Sequence, residues 1–275
     1  TRGAEFSRSI NEIVQEAKQL VDNGVKEITL LGQNVNAYNF KQKKLSDLII
    51  EISKIKDLKR IRYTTSHPRD FTKDLIDAHK SCEKLMPLIH LPVQSGSNKI
   101  LKKMNRKHSI EEYLKILEKL KQVKPNIKFS SDFIIGYPGE TNEDFEKTIK
   151  LMKDVKFINS FSYIFSARPG TPAFNLRKID YSEAKERLIK FQIFAEKIKS
   201  EYRESMINKY SLVLFENKIT EENKYFGRDE HFNSVIVSSK SDLTGKIKIV
   251  KIIKNNKNTL LGEVKSNTDH KNYAA

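Results

Sequence analysis

The side chains best suited to chemistry stand at the carboxyl ends of apolar runs. The richest stretch is Phe129-Ser-Ser-Asp-Phe-Ile-Ile-Gly-Tyr-Pro-Gly-Glu-Thr141, in which Ser130, Ser131 and Asp132 interrupt a strand-like sequence. Polar groups inside such a strand are costly to bury without partners. Parallel α/β folds place their ligands just beyond the strand ends, so Asp132 reads as a binding group. Four further segments share this placement: Leu31-Gly-Gln-Asn-Val-Asn-Ala-Tyr38, Thr64-Thr-Ser-His-Pro68, His90-Leu-Pro-Val-Gln-Ser-Gly-Ser97 and Ser166-Ala-Arg-Pro-Gly-Thr-Pro172. Their glycines allow close approach to a ligand. Gln33, Asn34, His90, Gln94, Ser130 and Arg168 supply donors and acceptors for a polar cofactor, with Arg168 placed to hold an anion. His67 and His90 also admit a structural reading, Pro138-Gly139 is turn chemistry, and Glu140-Thr141 can serve to cap the next helix. Cys82 is the only cysteine. It excludes an internal disulfide and a multi-cysteine metal site built from this chain alone, and it reads as a packed thiol. No metal ligand and no catalytic residue is assigned from these residues.

The elements that must position these groups alternate. Ser9 and Glu12 form a capping-box pattern before a helix whose apolar residues repeat at helical spacing, with Gly24 as its stop. Strands are expected at Glu27–Leu31, Arg60–Thr65, Leu88–Pro92, from Lys128 and at Ser160–Ser166. Helices are expected near Leu45–Ile55, at Thr72–Ser81, after Ser109 and from Thr141. A long helix from Ser182 to about Lys209 carries Ala184, Leu188, Phe191, Ala195, Ile198, Tyr202 and Met206 on one face. This alternation predicts a parallel sheet with helices outside. The first helix has no strand feeding it and Thr1 is not a methionine, so one strand–helix unit is expected to be missing from the front.

After Tyr210 the texture changes to short β-type runs, Leu212–Phe215, Ser234–Ser239, Lys246–Ile253 and Leu260–Val264, with Gly227, Gly245 and Gly262 among them. These predict a small all-β barrel of the oligonucleotide-binding kind. The domains expected are 1–208 and 209–267, followed by a disordered tail at 268–275. A net charge of +16 is compatible with nucleic acid and equally with compositional bias. Lysines along the C-terminal strands suit either a phosphate-binding face or a solvated one. No apolar run is long enough to span a membrane and no secretory signal is visible.

Taken in order, these motifs resemble the radical S-adenosylmethionine methylthiotransferases, in particular the tRNA-modifying MiaB-type branch, over nearly the whole chain. Thr1-Arg2-Gly3 resembles the residues that follow the family's C-x-x-x-C-x-x-C loop. Gly32–Tyr38, Thr64–Pro68, His90–Ser97 with Met104-Asn105-Arg106, Ser130–Thr141 and Arg168–Ala173 match in sequence. Asn34-Val-Asn-Ala-Tyr38 favours the isopentenyladenosine branch. Gly227-Arg228 and Asn233-Ser-Val-Ile-Val237 are similar to the signature of the RNA-binding TRAM domain.

The resemblance implies a partial (βα)6 radical SAM barrel lacking its first strand, followed by a small OB-like TRAM barrel. It implies S-adenosylmethionine bound by Gly32, Gln33, Asn34, His90, Gln94, Ser130, Asp132 and Arg168, and RNA bound by Arg228, Lys246, Lys248 and Lys251. The intact family enzyme holds two 4Fe-4S clusters, whose ligands this chain lacks, and it makes 2-methylthio-isopentenyladenosine beside the tRNA anticodon. Its partners are tRNA, an external electron donor and a sulfur source. A monomeric, cytoplasmic protein without membrane contact is implied, inactive as this chain alone. The alternatives are a non-catalytic RNA-binding protein, or a methylthiotransferase acting on threonylcarbamoyladenosine or on a ribosomal protein. Cysteines encoded just upstream of Thr1 would separate the first of these from the enzyme.

Overall fold

The computed structural model describes residues 6–64, 66–219 and 223–265. The Ser9 hydroxyl and the Glu12 carboxylate cap each other's backbone N–H groups and open helix α1 (Ile10–Asp22), which ends just before Gly24 at φ +94°. Strand β1 (Glu27–Leu30) follows, then a small hairpin of β2 (Asn39–Phe40) and β3 (Lys43–Lys44), helix α2 (Leu45–Ser53) and strand β4 (Arg60–Tyr63). Next come α3 (Lys73–Ser81), β5 (Leu88–His90), α4 (Asn98–Lys103), α5 (Ile110–Val123), β6 (Lys128–Ile135), α6 (Asn142–Val155), β7 (Asn159–Ile164) and α7 (Tyr181–Glu204). Ser109 with Glu112 and Thr141 with Asp144 form the same reciprocal caps on α5 and α6. Each such cap contributes about 0.5–2 kcal/mol.

The first compact unit spans Thr1–Lys199 and the second Ser200–Ala275. In the first, β1 pairs in parallel with β4, and β5, β6 and β7 pair in parallel in that order. Backbone bonds from Ile61 N to Lys84 O (2.7 Å) and from Met86 N to Ile61 O (3.0 Å) tie the stretch before β5 to β4. All five expected parallel strands are therefore present, with their helices between them. The fully buried rings of Phe133, Phe157 and Phe191 meet in the core, where the Phe133 centroid lies 4.7 Å from that of Phe191. Cys82 is buried at the end of α3, packed as a small apolar side chain. The buried guanidinium groups of Arg60 and Arg62 share Glu27 across the β1–β4 pair. Among the described residues, no helix is long and apolar enough to cross a membrane.

In the second unit, β8 (Tyr210–Ile219), β9 (Lys224–Arg228), β10 (Ser234–Ser238), β11 (Ile247–Asn255) and β12 (Leu260–Val264) close into a barrel in the order β10-β12-β11-β8-β9. Val213, Phe215, Val235, Val237, Val250 and Leu260 fill its centre. A Cβ on Gly227 would lie 2.4 Å from Leu214 O, so only glycine lets β9 cross there.

Four features differ from expectation. α7 ends at Glu204 and not near Lys209. The apolar period continues through Met206, but Asn208 turns left-handed (φ +65°) and its N–H bonds Ile252 O at 2.8 Å, starting the barrel. β9 is a full strand where only a marker glycine was expected, and β8 runs past Phe215 through polar Glu216, Asn217 and Lys218 to Ile219. The short α4, rich in lysine, had no long apolar period to announce it. The tail expected at 268–275 and the Thr1–Gly3 match lie outside the described residues.

Two outcomes follow for stability. A Cβ on Gly96 would meet Lys147 O at 2.5 Å and Thr148 Cα at 2.6 Å, where a strand-end loop lies against α6. Gly96→Ala is expected to destabilise the fold by about 1–3 kcal/mol, an overpacking cost, as measured by urea unfolding followed by circular dichroism. His79, held 2.7 Å from the Tyr63 hydroxyl, is pushed down to about 3 by burial and by Lys124. His108 falls to about 4 through burial, His67 and Arg106. Both groups start from an ordinary value of 6.5 in the unfolded chain. The unfolded chain thus binds more protons below that value, and stability is lost as pH falls from about 6.5 towards 4. Urea midpoints across this window should fall less steeply for His79→Gln than for the parent chain. An identical slope would remove His79 as a cause.

Candidate functional site

The alternation of side chains along β6 sorts its polar break into two faces. Ser131 is fully buried, and its hydroxyl accepts from Val93 N and donates to Leu91 O, both at 2.9 Å. It stitches the loop after β5 onto β6. Ser130 and Asp132 fall on the opposite face by the same alternation. Ser130 Oγ lies 2.9 Å from His90 Nδ1, and Asp132 Oδ2 lies 3.4 Å from Nε2 of the same ring. Two residues apart on one strand, they engage opposite ends of the imidazole and fix its orientation. The His90 and Asp132 side chains remain 20% and 30% exposed, so the group meets solvent. Gln94, in the left-handed region at φ +75°, continues the sheet past β5. Its N–H bonds Asp132 O and its carbonyl accepts from Ile134 N, each at 2.9 Å.

The loop after β6 is held by a buried ion pair. Glu140 Oε2 accepts from Gly136 N at 2.9 Å and from Arg187 Nη1 at 3.0 Å, while Arg187 Nη2 donates to Asn142 and Glu183. Burial raises the Glu140 carboxyl, although Gly136 N–H and Arg187 oppose that rise. Glu140 was expected to assist the helix cap. Thr141 and Asp144 make that cap, and Glu140 instead fastens the loop to α7. Gly136 is required twice, by its φ of +71° and because a Cβ there would sit 2.7 Å from Ala184 Cβ.

Beyond β4, His67 and Asn36 exchange two hydrogen bonds of 2.8 Å, and Asn34 Nδ2 donates to Asp70 at 2.6 Å. The His67 and His108 rings stand edge to face with centroids 5.7 Å apart. Burial lowers both imidazoles, with Arg106 adding to the fall; burial also lowers Arg106, and Asp132 opposes that fall by favouring its charge. The Ser66 hydroxyl and Asn34 Oδ1 are buried and without a hydrogen-bond partner. His108 was not singled out from sequence, and Arg106 and Ser66 stood within matched segments without a role of their own. The signal available was Asn105, whose left-handed φ of +56° turns the chain just after α4.

Gly32, Gln33 and Asn34 line a separate, mainly apolar cavity of about 580 Å³ between α1, β1 and α2. His90, Gln94, Ser130 and Asp132 do not line it, so the expected cofactor residues fall into two groups. Arg168 is exposed on the segment after β7, its carbonyl accepting from Thr171 N and Oγ1. In the barrel, Arg228 is ion-paired with Glu216 at 3.2 Å and lies over the Phe232 ring. Lys246 donates to Asp242 O, Lys251 stands opposite Tyr210 and Glu263, and Lys248 stands opposite buried Val213. Lys248 and Lys251 therefore occupy opposite faces of β11. Cluster ligation needs several thiolates, and the sole cysteine is buried at the end of α3, so the residues present do not fit a 4Fe-4S cluster.

The radical SAM superfamily model matches residues 1–152. The tRNA-2-methylthio-N(6)-dimethylallyladenosine synthase of Pelagibacter ubique is 52% identical over 98% of this chain and 62% of its own length. Its namesake from Wolbachia pipientis subsp. Culex pipiens is 50% identical over 95% of this chain and 61% of its own. The chain thus spans about three-fifths of the length of these curated relatives. Among solved structures, coproporphyrinogen III oxidase from Escherichia coli, a radical SAM enzyme, shares the fold at a TM-score of 0.53 with 13% identity, over 94% of this chain and 65% of that one. The parallel strand pairing and the family match agree: the chain belongs to the radical SAM superfamily.

Proposed function

We propose that this chain is the barrel and RNA-binding portion of a tRNA-2-methylthio-N(6)-dimethylallyladenosine synthase, an enzyme that methylthiolates isopentenyladenosine beside the tRNA anticodon. The observation that carries this reading is 44–52% identity, over nearly the whole chain, to relatives that bear that name. The intact enzyme takes electrons from an external donor and sulfur from a separate source, uses two 4Fe-4S clusters, and acts on tRNA in the cytoplasm as a monomer.

S-adenosylmethionine, when bound, supplies hydrogen abstraction and the methyl group. The polar strand ends suit it. Unpartnered Ser66 Oγ and Asn34 Oδ1 offer acceptors in buried positions. Asp132 and Ser130, braced through His90, offer a carboxylate and a hydroxyl on one face of β6. Arg106 offers a cation whose charge Asp132 favours, against the burial that disfavours it. Such groups bind ammonium, ribose and carboxylate parts through charge-assisted hydrogen bonds. Gly32, Gln33, Gln94 and Arg168 complete the proposed set, and the packed strands beneath limit water. The second unit is proposed as a TRAM-type domain whose cations, Arg228, Lys246, Lys248 and Lys251 among them, contact RNA.

Nucleoside analysis of tRNA tests the assignment. A strain lacking the gene should lose 2-methylthio-isopentenyladenosine and accumulate the unthiolated nucleoside; unchanged 2-methylthio content would overturn it. In the intact enzyme, Asp132→Ala is expected to weaken equilibrium binding of S-adenosylmethionine by about ten-fold or more, the worth of a charge-assisted contact. Its unfolding should stay within about 1 kcal/mol of the parent, as for a partly exposed side chain. Unaltered binding would return Asp132 to the role of bracing His90.

A further inference from the structure

The turn between β9 and β10 presents one aromatic ring in an unusual way. Phe232 has φ +64°, a left-handed conformation that bulky side chains rarely adopt. The strain is held in place by its neighbours. Asp229 is fully buried, and its carboxylate accepts from His231 N at 2.9 Å and from Asn233 N and Nδ2 at 2.8 Å. Backbone bonds from Phe232 N to Asp229 O and from Asp229 N to Asn233 O, both 3.1 Å, close the turn. The rigid turn leaves Phe232 43% exposed. The Arg228 guanidinium covers the ring at 4.2 Å from its centroid and also lies 5.2 Å from the Phe226 ring.

An exposed ring on a strained, fully braced turn is poorly explained as packing, because it contributes little to the barrel core. Its chemistry suits a flat aromatic ligand. Arg228 already pairs with Glu216, so the pair offers a π surface more than a free charge for phosphate. On the neighbouring strand Tyr210 is 40% exposed with the Lys265 ammonium 5.3 Å from its centroid, a second ring–cation pair. Rings and cations on one outer surface are how single-stranded nucleic acid is held: every base has a π face, whereas a paired base has both faces already stacked.

We propose that Phe232, backed by Arg228, is a stacking platform for one unpaired base of an RNA. This rests on the RNA-binding reading of the second unit given above. It adds a contact beyond the lysines and arginine already assigned.

The chain has no tryptophan, so Phe232→Trp places a single indole reporter on the platform. The full chain is titrated at low salt with an unmodified anticodon stem-loop RNA and, separately, with a fully paired duplex. The stem-loop is expected to quench the indole and the duplex to leave it unchanged. Phe232→Gly should bind the stem-loop about five-fold or more weakly, the loss of one stacked base. It should unfold at the same or a higher temperature, because glycine relieves the left-handed strain. Phe232→Tyr should keep the parent affinity. If the parent and Phe232→Gly bind the stem-loop equally and the indole is not quenched, the platform is overturned while RNA binding stands. Equal quenching by duplex overturns the unpaired-base assignment. If the parent chain binds neither RNA, both this proposal and the RNA reading fall.

Discussion

The site depends on the register of β6. Because successive side chains of a strand face opposite ways, one residue of slip would exchange the buried and the solvent-facing sets. Ser131 fixes that register from below by bonding the backbone on both sides of Pro92 in the loop after β5. With Ser131 held, Ser130 and Asp132 face the other way and brace His90. Gln94 then pairs its backbone with Asp132 and Ile134, accepting a left-handed conformation to do so. A polar tripeptide that looks like a defect in a core strand is thus one structural clamp flanked by two groups that brace His90 on the opposite face.

The same logic recurs in the loops. Glu140 lies buried beneath the loop after β6 and joins it to Arg187. A buried ion pair gives little net stability, since desolvation offsets much of its attraction. What it supplies here is position: removing Arg187 would leave the buried Glu140 carboxylate without its cation, so alternative loop conformations are disfavoured. Asp229 plays an analogous part in the barrel, where a fully buried carboxylate gathers three N–H donors and holds a turn that would otherwise relax. In both units a buried carboxylate fixes the course of a loop.

Much of the fold was legible because its signals are local. Capping boxes at Ser9 and Ser109 and apolar strands ending in glycine-bearing loops are set by neighbours in the sequence, and the structure reproduces them. Features requiring distant partners were not legible. The Glu140–Arg187 pair spans 47 residues and reads in sequence as a helix start. His108 meets His67 only after α4, a helix with too few apolar residues to declare itself. The evenly basic β11 concealed the fact that Lys248 and Lys251, three apart, sit on opposite faces. Phe232 carried no signal at all, since its left-handed backbone depends on a carboxylate three residues earlier.

Amide hydrogen exchange of the intact enzyme, with and without S-adenosylmethionine, tests the β6-centred site most directly. Slowed exchange is expected in residues 90–97 and 130–137 and at Arg106, with α5 and the outer faces of the barrel strands unchanged. Binding of S-adenosylmethionine that leaves those segments unprotected, and protects others instead, would contradict it.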